Sequence, residues 1–70
     1  MILKNHLKEL RARHGLNQSE LADRADVSRQ TISLIERGNY SPSITLALTL
    51  ARILEVRVEE VFELQEEEDS

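Results

Sequence analysis

Leu3, Leu7, Leu10 and His14 recur at intervals of four, three and four, the spacing that lines one face of a helix. Gly15 ends this first helix at a place suited to a left-handed residue, and Leu16 is set for the apolar contact that accompanies such an end. Asn17 and Glu20 stand at capping-box spacing, flanked by Leu16 and Leu21 as a hydrophobic staple. A second helix is therefore predicted from Gln18. It is short, because Asp26-Val27-Ser28 follows closely and Ser28 is suited to cap a third helix that runs to Arg37-Gly38. Asn39-Tyr40-Ser41-Pro42 forms the longest polar connection, after which Ser43 caps a fourth helix over Ile44–Glu55. A last short helix is predicted over Val58–Phe62. The ends differ in rhythm: Phe62-x-Leu64 alternates and Ile2-Leu3 is compatible with extended chain, which predicts a short β pairing of the two ends, with frayed coil as the alternative.

Composition narrows this picture. One proline, two glycines and few β-branched runs favour an all-α fold. Seventy residues make one small domain, expected over 1–65 with an acidic tail at 66–70, close to the size at which an apolar core alone offsets chain entropy. The chain has no cysteine, so no disulfide or thiolate metal site can staple it. The most apolar run, Ile44–Leu54, is too short to cross a bilayer, and MILKN at the amino terminus lacks the apolar stretch of a signal peptide. A cytoplasmic protein with no membrane partner is expected. No separate ligand-sensing domain, small-molecule ligand or cofactor is expected.

Charge is unevenly placed. The formal net charge is −4, but Met1–Ser43 holds seven basic and five acidic residues, whereas Ile44–Ser70 holds two and eight. Local field governs approach to a polyanion more than the total does. The front half can approach phosphates and the rear repels them.

The segment VSRQTISLIERG, Val27–Gly38, carries the candidate chemistry. At about 100° per residue, Ile32, Ile35 and Glu36 fall on the inner face of the third helix. Arg29, Gln30, Ser33 and Arg37 form one outward stripe, with Leu34 at its border. Arginine matches the O6/N7 edge of guanine and glutamine the N6/N7 edge of adenine, so the stripe suits the DNA major groove. Taken alone it also fits an ordinary solvated face. The neighbouring spacing favours the first reading: a capped short helix, a tight turn and a second short helix is the helix-turn-helix layout, at about residues 18–37. Gln18 then lies at a helix N-terminus, where exposed amides favour a phosphate.

LNQSELADRA (Leu16–Ala25), VSRQTISLIERG and SPSITLALTLARIL (Ser41–Leu54) together resemble the Cro/repressor-type helix-turn-helix regulators, the XRE family, over Leu7 to about Phe62. The MILKN and VFELQ ends resemble those of compact dimeric repressors in which the chain ends add a small β element. The resemblance implies a five-helix, lambda-repressor-like domain that binds double-stranded DNA. It further implies that Gln18 grips a phosphate, that Ser28, Arg29, Gln30 and Ser33 face the groove, and that Asn39 and Tyr40 approach the backbone. Leu34 takes a position often polar in relatives and either meets a thymine methyl or packs. Arg11 and Glu36 match positions the family pairs as a buried ion pair. Asp26 and Glu55 stand where relatives usually have glycine, Arg57 where they have Ser or Thr, and Ala25 where they have a larger apolar residue, which puts local stability in question.

Other chemistry finds little support. His6 and His14 lie eight apart and do not suggest a metal site, and no nucleophile–base set or phosphate-cradling glycine loop stands out, so no enzyme is expected. A second apolar line on the fourth helix, Leu46, Leu50 and Ile53, is either covered by the fifth helix and chain ends or forms a two-fold interface. A homodimer is expected, through that line or through Val58–Leu64. The leading expectation is a repressor that binds a near-palindromic operator; the alternative is an antitoxin or adaptor that uses the same fold to bind protein.

Overall fold

The computed structural model describes residues 1–66. In chain order the elements are β1 (Ile2–Asn5), α1 (Leu7–Arg13), α2 (Gln18–Ala25), α3 (Arg29–Glu36), α4 (Ile44–Ile53), α5 (Val58–Val61) and β2 (Phe62–Gln65). The ends pair as an antiparallel ladder with Leu3 opposite Leu64 and Asn5 opposite Phe62. This is the expected five-helix domain with a β pairing of its ends. Of the acidic tail, only Glu66 lies within the described residues, and it is exposed.

Four helices end in one way, and that repetition sets the angles between them. Gly15, Asp26, Gly38 and Glu55 have φ of 66°, 59°, 78° and 58°. After each, the next N–H reaches back five residues: Leu16 to the Arg11 carbonyl at 3.2 Å, Val27 to Ala22 at 3.0 Å, Asn39 to Leu34 at 2.9 Å, Val56 to Ala51 at 3.0 Å. These are the six-to-one bonds of a Schellman end, which needs a left-handed residue. Asp26 and Glu55 thus take the conformation glycine would adopt more cheaply. For an L residue the left-handed region costs roughly 1–2 kcal/mol, partly offset by the extra chain entropy glycine would lose. Glu55→Gly is therefore expected to raise stability by about 0.5–1 kcal/mol, read as a higher urea midpoint with an unchanged slope.

The starts of the helices depart from expectation in places. Asn17 and Glu20 make the full capping box: the Glu20 N–H donates to Asn17 Oδ1 at 2.8 Å, and the Asn17 N–H to Glu20 Oε1 at 2.9 Å. Ser28 and Ser43 cap α3 and α4, accepting from the Thr31 and Leu46 N–H groups, each at 3.1 Å. Helix α1 starts later than its periodicity implied. Leu3 belongs to β1, and Asn5 Oδ1 accepts the Leu7 N–H at 3.1 Å while Asn5 Nδ2 donates to the Ile35 carbonyl at 2.9 Å. One side chain thus ends the strand, starts α1 and ties both to α3. Helix α4 stops at Ile53 instead of Glu55 because of the left-handed turn, and Phe62 opens β2 instead of closing α5. Arg57 cannot accept a hydrogen bond, so α5 has half a box, the Arg57 N–H donating to Glu60 Oε2 at 2.7 Å.

The core lies where these elements meet. Leu7, Leu21, Ile32, Ile35, Leu50, Leu54 and Val61 are its largest fully buried side chains. Ala25 is buried at the end of α2. His14 Nε2 lies 2.8 Å from the Leu54 carbonyl and joins the end of α1 to the end of α4. The line Leu46–Leu50–Ile53 is not a free surface: Leu50 is fully buried and Leu46 and Ile53 pack on the core with Val58 and Phe62. The exposed apolar side chains of α4 are instead Ile44 and Leu48, 80% and 53% accessible, with Leu64 on β2 at 67%. Among the described residues no helix is long and apolar enough to cross a membrane.

Candidate nucleic-acid interface

Ile32 and Ile35 are 0% and 1% accessible, which fixes the roll of α3 and hence what it turns outward. Arg29, Gln30 and Arg37 are exposed, and Ser33 and Leu34 are half-buried along the same side. Among the described residues, none of the four polar members of this stripe uses its side chain in a hydrogen bond or ion pair within the chain. Their donors are uncommitted. At 1.5 Å rise per residue, the stripe from Arg29 to Arg37 is about 12 Å long, which fits the width of a major groove. Asn39 and Tyr40 follow the left-handed Gly38 and are exposed.

Ser28 is placed differently. Its hydroxyl accepts the Thr31 N–H and lies 3.0 Å from Thr31 Oγ1. That oxygen is engaged in capping, so any further contact from Ser28 must use its remaining hydrogen-bonding capacity.

The scaffold beneath is ionic. Arg11 Nε donates to Glu36 Oε2 at 2.7 Å and Nη2 to Oε1 at 3.1 Å, while Nη1 donates to the Leu16 carbonyl at 2.9 Å. The two side chains are 14% and 5% accessible. The hydrogen bond that Arg11 donates to Glu36 raises the guanidinium above its ordinary range; burial acts the other way, and the Coulomb attraction of Glu36 adds to the rise. Side-on pairing with a carboxylate suits arginine's planar fork. Because Arg11 is on α1 and Glu36 ends α3, the pair locks α3 to α1.

Gln18 sits at this junction. Half-buried at the first position of α2, it donates from Nε2 to Glu36 Oε1 at 3.0 Å. Around it Arg11, Asn17, Gln18, Ser19 and Arg29 line an open recess of about 390 Å³. The N–H groups of Gln18 and Ser19 have no intrahelical acceptor at these positions, and the helix dipole adds to the field of Arg29. An anion is favoured here. Of the residues singled out from sequence, Gln18 and Arg29 thus come together, whereas Arg37, Asn39 and Tyr40 stand at the other end of α3. Sequence reasoning missed Asn17 and Ser19 as members of the recess; their place in the first turn of a capped helix was the available signal.

A second recess of about 310 Å³ has the opposite character. Lying between α1, α5 and β2, it is lined by His6, Glu9, Leu10, Arg13, Glu59, Glu60 and Glu63. His6 stands between two carboxylates, with Nδ1 3.7 Å from Glu9 and Nε2 3.5 Å from Glu63. Three acidic residues of the second half of the chain, Glu59, Glu60 and Glu63, thus meet at a recess that shares no residue with the stripe.

Comparison with known proteins agrees with this geometry. The HTH_3 helix-turn-helix family model matches residues 7–61. The HTH-type transcriptional regulator YgzD of Bacillus subtilis is 46% identical over 65 residues, covering 93% of this chain and 98% of its own. The HTH-type transcriptional regulator MJ0272 of Methanocaldococcus jannaschii is also 46% identical, over 66 residues, covering 94% and 100%. Among solved structures, the restriction-modification controller protein C.AhdI from Aeromonas hydrophila superposes with a TM-score of 0.72 at 35% identity, over 77% of this chain and 82% of that one. SinR, a master regulator for biofilm formation solved in complex with DNA, gives 0.70 at 35% identity over 76% and 86%. By the extent of the family match and the identity to these regulators, the chain belongs to the HTH_3, or XRE-type, family of helix-turn-helix transcriptional regulators, whose fold is a DNA-binding one.

Proposed function

We propose that the protein is a cytoplasmic, non-enzymatic repressor that binds a near-palindromic operator as a homodimer, with α3 in the major groove. The observation that carries this reading is the outward stripe of uncommitted donors on a helix whose roll is fixed by Ile32 and Ile35. Arg29, Gln30 and Ser33 read base edges, and Leu34 meets a thymine methyl at the border of the stripe. Gln18 and the α2 N-terminus hold a backbone phosphate on one side, and Arg37, Asn39 and Tyr40 approach the backbone on the other. Ser28 is chiefly a cap whose remaining hydrogen-bonding capacity faces the same groove. Repression follows from occupancy, which excludes polymerase from the operator.

The exposed Ile44, Leu48 and Leu64 support association with a second copy, since a small domain gains most by covering such side chains. Two recognition helices then stand about one DNA turn, roughly 34 Å, apart. Sedimentation at micromolar concentration is expected to show a dimer, and affinity for duplex DNA is expected to fall by about 10³-fold or more between 50 and 200 mM salt, as released counterions require. A strictly monomeric protein removes the palindrome. Affinity independent of salt removes the phosphate contacts and favours a protein-binding adaptor.

A further inference from the structure

The Arg11–Glu36 pair accounts for stability, but it does not account for the third hydrogen bond that Glu36 receives. Oε1 accepts both Arg11 Nη2, at 3.1 Å, and Gln18 Nε2, at 3.0 Å. A carboxylate only accepts. It therefore selects one of the two orientations of the Gln18 carboxamide, with the NH₂ group toward Glu36, and among the described residues the other Nε2–H has no acceptor. Phosphate oxygens also only accept, so this is the orientation that a phosphate in the recess requires. Arg11 completes the arrangement, because its charge cancels that of Glu36, which would otherwise oppose an anion beside Gln18.

We propose that Glu36 is a positioning residue for the DNA backbone contact: it orients the Gln18 carboxamide so that the free N–H meets a phosphate at the N-terminus of α2. This rests on the DNA-binding reading above and adds a role to a residue whose side chain is only 5% accessible. The ion pair that joins α1 to α3 thereby also tunes affinity, and the phosphate contact is coupled to the seating of the recognition helix.

The test is a double-mutant cycle with Glu36→Gln, Gln18→Ala and the two combined, titrated onto a random-sequence 24-base-pair duplex at 50 mM salt. The temperature is one at which circular dichroism shows all four proteins folded. Glu36→Gln keeps the volume and an acceptor oxygen for Arg11, but its own amide can turn, so Gln18 loses its fixed orientation. Gln18→Ala is expected to weaken binding about tenfold, the loss of one hydrogen bond to a charged group. Glu36→Gln also leaves Arg11 net positive beside the recess, which favours phosphate alike in both backgrounds, so the positioning role is read from the coupling: Glu36→Gln is expected to be about fivefold more costly in the parent than when Gln18 is already alanine. In the free protein, Glu36→Gln is expected to move the side-chain NH₂ resonances of Gln18 while the amides of α4 stay in place. Equal effects of Glu36→Gln in the two backgrounds overturn the positioning role. If Gln18→Ala binds like the parent, Gln18 has no phosphate contact and the proposal falls while the base-reading helix stands. Failure of the parent to bind the duplex at all overturns the DNA-binding reading itself.

Discussion

Glu36→Ala is expected to lower the stability of the domain by about 3–5 kcal/mol, because it leaves the guanidinium of Arg11 with no counter-charge in a largely dry site. Glu36 is only 5% accessible and Arg11 14%, so solvent can replace little of what is lost. Arg11 retains its bond to the Leu16 carbonyl and cannot turn fully to water without abandoning the end of α1. The sign follows from the direction of the Arg11 shift: the carboxylate holds the guanidinium charged, so removing it removes favourable interaction. Domains of this kind have about 5–15 kcal/mol to lose. The variant is therefore expected to be substantially unfolded at moderate urea concentrations where the parent is intact. A control separates the unpaired charge from the packing: Arg11→Met combined with Glu36→Leu removes both charges and is expected to recover most of the loss. A loss under about 1 kcal/mol for Glu36→Ala in urea denaturation contradicts the clamp.

Most of the fold was legible because its punctuation is chemical. Gly15 and Gly38 mark two left-handed ends; Asn17, Ser28 and Ser43 mark three starts with their own hydroxyl or amide oxygens. Where punctuation was absent, the boundaries slipped. Leu3 keeps helical spacing with Leu7 yet lies in β1, because Asn5 starts α1 from an unusual place, with its other end bonded to Ile35 thirty residues away. No local pattern encodes such a bond. Glu55 looks like a good helix residue, but the α4 end requires a left-handed conformation there, so the helix stops two residues early. Leu46, Leu50 and Ile53 appeared able to face a second copy, and only the placement of α5 and Phe62 shows them covered.

The site divides along the same line. The stripe on α3 was visible from periodicity, since two buried isoleucines suffice to set the roll of one helix. The Arg11–Glu36 pair came from resemblance, not spacing, because its members are 25 residues apart. The bond from Gln18 to Glu36 and the engagement of the Ser28 hydroxyl with Thr31 were not legible, since each depends on where a side chain turns after the helices have packed.

Arg29→Ala is expected to cost about 1–3 kcal/mol of affinity on the preferred duplex and to relax selectivity at one base position in each half-site. Arg29 is exposed at the first position of α3, and among the described residues its guanidinium has no hydrogen-bond or ion-pair partner. In the proposed binding mode it stands where the N-terminus of α3 enters the groove. Its removal should leave stability within about 0.5 kcal/mol of the parent, as befits a surface side chain without partners. Gln18→Ala differs in kind: a lost phosphate contact weakens every sequence alike and leaves the order of preference intact. The most direct measurement is selection of bound sequences from a random duplex library with the parent, the Arg29→Ala variant and the Gln18→Ala variant in parallel. The account predicts two inverted half-sites for the parent, loss of preference at a single symmetric position for Arg29→Ala, and an unchanged motif for Gln18→Ala. An unchanged motif for Arg29→Ala, or no motif for the parent, contradicts the claim that the outward side chains of α3 read bases.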